Sequence, residues 1–390
     1  MEIYKGIGEN KCDNETLVDF LNYVFGMNGN DTSFYKLLPK LYKPEYHPEK
    51  YNYIATEDGR LRAAVGAYPF SLNVAGTVLK GIGIGNVAVH PMHRGKGYMK
   101  ECMNLALDDM KKNGIDFAAL GGRRQRYSYF GFEPAGVCGA FNLCKHNLVH
   151  VYGSVNDGTG FKATKLSAEN TKELGEIRAL SESRAYFPLR DTASYFDIVT
   201  SWCANVYSIA DANGNFAGYF IYGGDEGAAN VMEIDCVKPE DASNVLRACF
   251  ETIGGEEINL DVPEFNVTFF SLLSDISEGV TLSNTERFYV LNYEKVLRAT
   301  LELKATYAKL ADGEISVEVE GKAGTEKLLI RVKDGKPSVE KFDGNCEFKF
   351  NHRQATGVFF GLAVPEKKLL PGFAASWFPL PLNTLGADNC

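Results

Sequence analysis

Between residues 14 and 26 the chain reads NETLVDFLNYVFG, and Leu17, Phe20, Leu21 and Val24 fall three or four apart. That spacing predicts an amphipathic helix capped by Asp13 or Asn14. A loop rich in Tyr, Lys and Pro follows, YKPEYHPEKY. YNYIAT, LRAAVGAYPFSLNVAG and TVLKGIGIGNVAVH come next, parted by Asp-Gly and Ala-Gly, and they read as strands. At Gly97 the period changes. Met99, Cys102, Met103, Ala106 and Met110 recur every three or four residues, which predicts a helix over 97–112 that ends at Asn113-Gly114. IDFAALGG is then a short buried strand, and RRQRYSYFGFEPAG a short helix or turn leading into another strand.

The alternation repeats from about 150 to 290. LSAENTKELGEIRALSESR predicts a helix, NVYSIADANGNFAGYFIYGG a hairpin, NVMEIDCV a strand, DASNVLRACFETI a helix and EINLDVP a strand. This resembles the order of the first block without its basic, glycine-bearing turn, as a degenerate duplication would. From about 291 the texture changes. NYEKVLRATL predicts a helix, ISVEVEG, KLLIRVKDGKPSVEKF and CEFKFN predict antiparallel strands with one wet face, and RQATGVFFGL predicts a further helix. The tail SWFPLPLNTLGADNC carries Trp377, Phe378, Leu380, Leu382 and Leu385, more apolar surface than a free end carries, so it is expected to pack. The pattern divides the chain into 1–150, 151–290 and 291–390, and the fold class is α/β with mixed sheets, α+β in the last part.

Composition narrows this little. At roughly 150 residues per domain, 390 residues make two or three domains. An apolar share of 45% and a charged share of 23% are ordinary for a globular protein. No run of about 18 apolar residues predicts a membrane span. The first residues, MEIYKGIGENKCDNE, lack the features of a signal peptide, so a cytoplasmic location is expected. Nine scattered cysteines without a C-x-x-C pattern fit reduced thiols better than disulfides or zinc. His146 and His150 stand at helical spacing without an acid or cysteine at ligand spacing, and no metal is expected. The net charge of -9 argues against nucleic acid as a partner and leans toward a cationic one, although solubility alone would account for it.

The concentrated chemistry lies in VAVHPMHRGKGYMK, residues 87–100. Gly95 and Gly97 let backbone N–H groups approach a ligand, Arg94 and Lys96 add charge, and the helix that starts there adds its positive end. Such a corner suits a phosphate or diphosphate. His90-Pro91 ends the strand's hydrogen-bond ladder, which leaves backbone groups for an extended ligand. Gly83-Ile84-Gly85-Asn86-Val87-Ala88 matches the letters of a dinucleotide fingerprint, but a strand rather than a helix follows it. No Walker loop occurs. The plain alternative for 94–97 is an ordinary strand-to-helix turn.

Val-Ala-Val-His-Pro-x-x-Arg-Gly-Lys-Gly-Tyr resembles the signature of the GNAT acetyltransferases, which bind acetyl-CoA. The resemblance implies that Val87, Ala88 and Val89 line the pantetheine and acetyl group. It implies that Arg94, Gly95, Lys96, Gly97, Tyr98, Met99 and Lys100 hold the pyrophosphate, with Gly122 and Arg123 also on the coenzyme. Over its whole length the chain is similar to the Eis-type enzymes, with tandem GNAT-like domains and a third, sterol-carrier-like α+β domain; only the first 140 or so residues carry specific motifs. The same resemblance implies an N-acetyltransferase acting on a cationic amine (an aminoglycoside-like compound, a polyamine or a lysine side chain) and a homo-oligomer, a hexamer in that family.

Acetyl transfer needs a proton donor for the departing thiolate and a group to take or hold the ammonium's proton. By resemblance Tyr127, in Tyr127-Ser128-Tyr129-Phe130-Gly131-Phe132, is the acid, with Tyr129 as second choice. Many GNAT enzymes carry a glutamate on the strand before the turn, where this chain has Asn86 and no acid between Lys80 and His93. Eis-type enzymes bring in the chain's terminal carboxylate instead, which here implies the main-chain carboxyl of Cys390 as base or orienter. The arginines at 123, 124 and 126 are a departure from the best-known members. A different class remains open: a lipid-binding carrier or scaffold using 291–390, with the first part as a coenzyme A sensor. The last domain could also serve oligomerisation alone.

Overall fold

A computed structural model describes residues 2–5, 12–27, 33–223, 230–362 and 364–390. The last glycine of the expected hairpin, Gly224, lies outside them. The first expected helix runs Asn14–Gly26 and begins where Asp13 accepts a hydrogen bond from Thr16 N at 2.8 Å. That bond satisfies one of the N–H groups a helix start leaves over. Leu17, Val18, Phe20, Leu21 and Val24 are its buried face.

The strands of the first half are β1 (Glu2–Lys5), β2 (Asn52–Glu57), β3 (Arg60–Val74), β4 (Thr77–Val89), β5 (Phe117–Leu120), β6 (Glu133–Ala135), β7 (Cys138–Cys144), β8 (Lys162–Lys165) and β9 (Tyr186–Pro188). Those of the second half are β10 (Asn205–Ala210), β11 (Phe216–Gly223), β12 (Asn230–Cys236), β13 (Glu257–Val262), β14 (Gly279–Ser283), β15 (Glu286–Val290), β16 (Gly313–Glu320), β17 (Thr325–Lys333), β18 (Lys336–Lys341) and β19 (Phe348–Asn351). They form three sheets. The first is ordered β1-β2-β3-β4-β5-β15-β6 with β9 beside β3, the second β14-β7-β13-β12-β11-β10-β8, and the third β18-β17-β16-β19.

Each of the first two sheets holds the same unit. β3 and β4 are antiparallel, and β4 reaches its parallel neighbour β5 through the Tyr98–Lys112 helix. β11 and β12 are antiparallel, and β12 reaches β13 in parallel through the Ala242–Ile253 helix. The Tyr98–Lys112 helix buries Tyr98, Cys102, Met103, Ala106, Leu107 and Met110 against one face of the first sheet, as its periodicity predicts.

The sheets also exchange strands. β7 pairs with β13 and β14 in the second sheet, while β15 returns to the first and pairs with β5 and β6. β16, β17 and β18 are antiparallel, as their alternation predicts. β19, within CEFKFN, instead runs parallel to β16. Val317 pairs with both Leu328 and Phe348, and Leu328 pairs with Lys341. The chain therefore leaves β18 at the level where β19 starts and crosses the sheet without reversing.

One apolar core runs from Phe117 and Phe288 of the first sheet through Leu297 to Val317, Phe359 and Trp377. Trp377, Phe378, Leu380 and Leu382 are buried and Leu385 is half-buried, so the tail packs as expected. Trp377 Nε1 donates to Ala311 O at 2.9 Å. No helix among the described residues is long and apolar enough to cross a membrane.

Candidate active site

β4 bends at Asn86. Ala64 pairs with Ala88 and Gly66 with Gly85, so Asn86 and Val87 together face Val65, and Asn86 has a φ of 43°. This is a β-bulge, and asparagine tolerates the left-handed backbone it needs. The Asn86 amide is fixed by bonds with Asn52 (2.7 Å) and the Tyr68 hydroxyl (3.1 Å). On its other edge β4 pairs with β5 only from Gly81 to Gly83. Beyond that point the two strands part. Val87 and Val89 pack toward the Tyr98–Lys112 helix and Ala88 toward the Asn14–Gly26 helix, so the main chain, not the side chains, is what β4 turns to the gap.

The corner itself follows. Pro91–His93 make a single tight turn, Gly95 and Gly97 have φ of 81° and 86°, and the helix starts at Tyr98. A Cβ at Gly95 or Gly97 would meet nothing within 4 Å, so backbone conformation rather than space demands glycine. No side chain caps the helix start, which leaves its first N–H groups without a side-chain partner. Arg94 is exposed with no ion pair among the described residues. Lys96 is tied to Glu57 at 3.0 and 3.2 Å, and His93 approaches the same carboxylate at 2.9 Å. The Tyr98 hydroxyl and the Lys96 ammonium hold that carboxyl down at about 2. Met99 is half-buried, and Lys100 lies 5.1 Å from the centre of the Tyr129 ring.

After β5 come Gly121, Gly122 and Arg123. Arg123 is exposed, and Arg124 pairs with Glu133 at 3.1 Å. Gly122 has a φ of 135°, and a Cβ there would stand 2.7 Å from the Tyr127 ring. Tyr127 is buried, and burial pushes its phenol above the ordinary value. Tyr129, by contrast, is 64% exposed. The loop carrying Tyr127 is held from the last part of the chain. His352 Nε2 donates to Gly131 O at 2.6 Å, and its Nδ1 faces the Tyr293 hydroxyl at 3.1 Å.

The tail closes the arrangement. Cys390 lies on β4: a Cβ at Gly85 would stand 3.3 Å from its main-chain carboxyl carbon, and one at Gly83 would collide with its sulfur. Lys40 Nζ donates to Ala387 O (2.5 Å) and Asn389 O (2.7 Å), and Trp202 Nε1 to Asn389 O (3.1 Å). Arg190, buried, joins Glu233 to Asp388. Burial pushes the Cys390 thiol up to about 11, so it stays protonated.

Beside Cys390 is a cavity of about 480 Å³ whose walls include Gly121, Asp261, Thr285, Glu286 and Thr384. A narrow cleft shares Gly121, Glu286, Thr384 and Cys390 with it and adds Gly83, Ile84, Ala119 and Leu120, which brings it to the parting of β4 and β5. Among the described residues no lysine or arginine lines either space, whereas Asp261, Glu286 and Asp388 do. The sequence reading did not reach Glu286, Lys40, Arg190 or Trp202. Glu286 heads the apolar run ERFYV, but only the pairing of β15 with β5 carries it here.

Residues 10–135 match the family model of an acetyltransferase (GNAT) domain. The chain carries a GNAT acetyltransferase domain. It is thus an acyltransferase enzyme with an acyl-CoA as co-substrate. No curated protein matches the chain. Among solved structures, a probable N-acyltransferase from Enterococcus faecalis V583 is 17% identical with a TM-score of 0.67, covering 99% of this chain and 95% of that one. A GCN5-related N-acetyltransferase from Anabaena variabilis ATCC 29413 is 15% identical with a TM-score of 0.68, covering 98% of both. Eis1 from Mycobacterium abscessus is 14% identical with a TM-score of 0.65, covering 100% of both. These likenesses are of fold, and the mixed α/β class agrees with the sequence pattern. The GNAT match spans β2 to β5, the bulge, the corner and Tyr127.

Proposed function

We propose that the chain moves the acetyl group of acetyl-CoA directly onto the amine of a cationic small molecule or a lysine side chain. One observation carries this reading: a space walled by acids, without a lysine or arginine among the described residues, meets the parting of β4 and β5 whose far end is the basic-glycine corner. In this reading the main chain of Val87, Ala88 and Val89 pairs with the pantetheine arm. The amides of residues 94–100 seat the diphosphate, and Gly122 and Arg123 flank the coenzyme. Tyr127 gives its proton to the departing thiolate, and burial keeps that phenol protonated until the thiolate forms. The main-chain carboxyl of Cys390 takes or orients the ammonium proton. Residues 1–150 form the catalytic domain, 151–290 a second GNAT-like domain, and 291–390 a sterol-carrier-like domain, within a homo-oligomer.

The test is thiol release from acetyl-CoA across a panel of amines. Tyr127→Phe is expected to lower kcat at least tenfold, about 1.4 kcal/mol in barrier, with acetyl-CoA affinity unchanged. No thiol release with any amine would refute the reading, and full turnover in Tyr127→Phe would remove the acid.

A further inference from the structure

Every second residue of β4 from 81 to 85 is glycine, and alternate positions of a strand share one face. None of Gly81, Gly83 and Gly85 has the left-handed backbone that would call for glycine by conformation. Space is the reason. A Cβ on Gly81 would meet the Phe70 ring, and one on Gly83 would meet the Cys390 sulfur. One on Gly85 would stand 3.1 Å from the Cys390 Cβ and 3.3 Å from its main-chain carboxyl carbon. Two glycines that imitate a dinucleotide fingerprint in the sequence thus make room for Cys390.

Cys390 is laid out along β4. Its carboxyl carbon is by Gly85 and its sulfur by Gly83, and Gly83 is the last residue of β4 that pairs with β5. Counted from the basic-glycine corner, β4 therefore presents the main chain of residues 89 to 87, then the carboxyl, then the thiol at the closed end of the gap. At that end is the narrow cleft, of about 10 Å³, whose walls include Phe70, Gly83, Ile84, Ala119, Leu120 and Cys390. It has room for one group about the size of a water molecule or a methyl. The sulfur is held in place. Lys40 and Trp202 grip the main chain of residues 387 and 389, and Arg190 grips Asp388. Burial keeps the thiol protonated, and a protonated thiol packs as a small apolar group.

Resting on the acetyl transfer proposed above, we infer that the Cys390 side chain is the end wall of the acyl pocket and that its sulfur limits the acyl group to an acetyl. A thioester at the parting of β4 and β5 places its methyl in the cleft. A longer acyl chain would have to displace a sulfur whose main chain is anchored on both sides of the sheet's last pairing, or turn away into the larger cavity. The role is one of size, carried by the side chain, and it is separate from the role of the Cys390 carboxyl. It also gives the glycines at 83 and 85 a function: any side chain there would push the wall out of place.

The test compares the full chain with Cys390→Gly and Cys390→Ser, both of which leave the main-chain carboxyl and the groups gripped by Lys40, Trp202 and Arg190 in place. Glycine removes the wall, and serine keeps a side chain of nearly the same size. Binding of acetyl-CoA, propionyl-CoA and butyryl-CoA is measured by calorimetry, and thiol release is followed with a panel of amines. In the unmodified chain butyryl-CoA is expected to bind roughly a hundredfold more weakly than acetyl-CoA, with propionyl-CoA between them. Cys390→Gly is expected to shrink that gap to about threefold or less, and Cys390→Ser to keep it. Equal affinity for acetyl-CoA and butyryl-CoA in the unmodified chain would overturn the assignment, as would a gap that survives in Cys390→Gly or closes in Cys390→Ser. The expected gaps without thiol release from any amine would support the wall while acetyl transfer to amines fails. Binding of no acyl-CoA at all would overturn both.

Discussion

At Gly95 and Gly97 the backbone adopts a left-handed conformation with open space where a side chain would stand. An alanine there costs about 1–2 kcal/mol of backbone strain, relieved only by moving the corner. Gly95→Ala is therefore expected to raise the Kd for acetyl-CoA at least tenfold while amine binding holds. Calorimetry checks this, and an unchanged Kd would mean the corner's conformation does not matter for the coenzyme. The order of Arg94, Gly95, Lys96 and Gly97 before an amphipathic run made this corner legible in the sequence. Lys96 was legible as a charge but not as a charge already held by Glu57, since Glu57 lies two strands earlier. The place of Glu286 beside Cys390 was not legible at all: an acid at the head of an apolar run is ordinary, and only the pairing of β15 with β5 brings it to the cavity.

Periodicity specifies elements better than it specifies neighbours. The strands from 52 to 89 and the helix from 98 to 112 stand where their patterns place them, because each packs against its own sequence neighbours. β7 and β15 change sheets because nothing in an alternating strand names its partner. CEFKFN shows the same blindness to direction, being parallel where alternation alone suggested antiparallel. The tail was legible as packed, from Trp377, Phe378, Leu380 and Leu382, but its anchors were not. Arg190, between β9 and β10, joins Glu233 of β12 to Asp388 of the tail, and these side chains are 10% exposed or less. Removing one partner of a buried ion pair strands the other charge. Arg190→Met is expected to cost about 3–5 kcal/mol in urea unfolding and to lower kcat by loosening residues 387–390. Undiminished stability would mean that Glu233 and Asp388 carry no buried charge.

Across the whole molecule, the third sheet and the first share one core, and His352 ties the last part of the chain to the loop that carries Tyr127. Burial pushes His352 down to about 4, so it is neutral when it donates to Gly131. In the unfolded chain a histidine takes a proton near pH 6.5. Between those values the unfolded state binds the extra proton, so His352's share of stability is intact above about pH 6.5 and lost as the pH falls toward 4. The loss is on the order of 3 kcal/mol. His352→Gln, which keeps a donor for Gly131, is expected to flatten the melting temperature over that window. An identical acid slope in both proteins would place the sensitivity elsewhere.

The central claim is that the corner at residues 94–100 seats the coenzyme's diphosphate through main-chain amides at the start of the Tyr98–Lys112 helix. A crystal structure of the chain with acetyl-CoA measures this directly. The account predicts diphosphate oxygens within hydrogen-bond distance of those amides, with the thioester at the parting of β4 and β5 beside Tyr127. A coenzyme bound elsewhere, or a corner filled by the protein's own side chains in that complex, would contradict it.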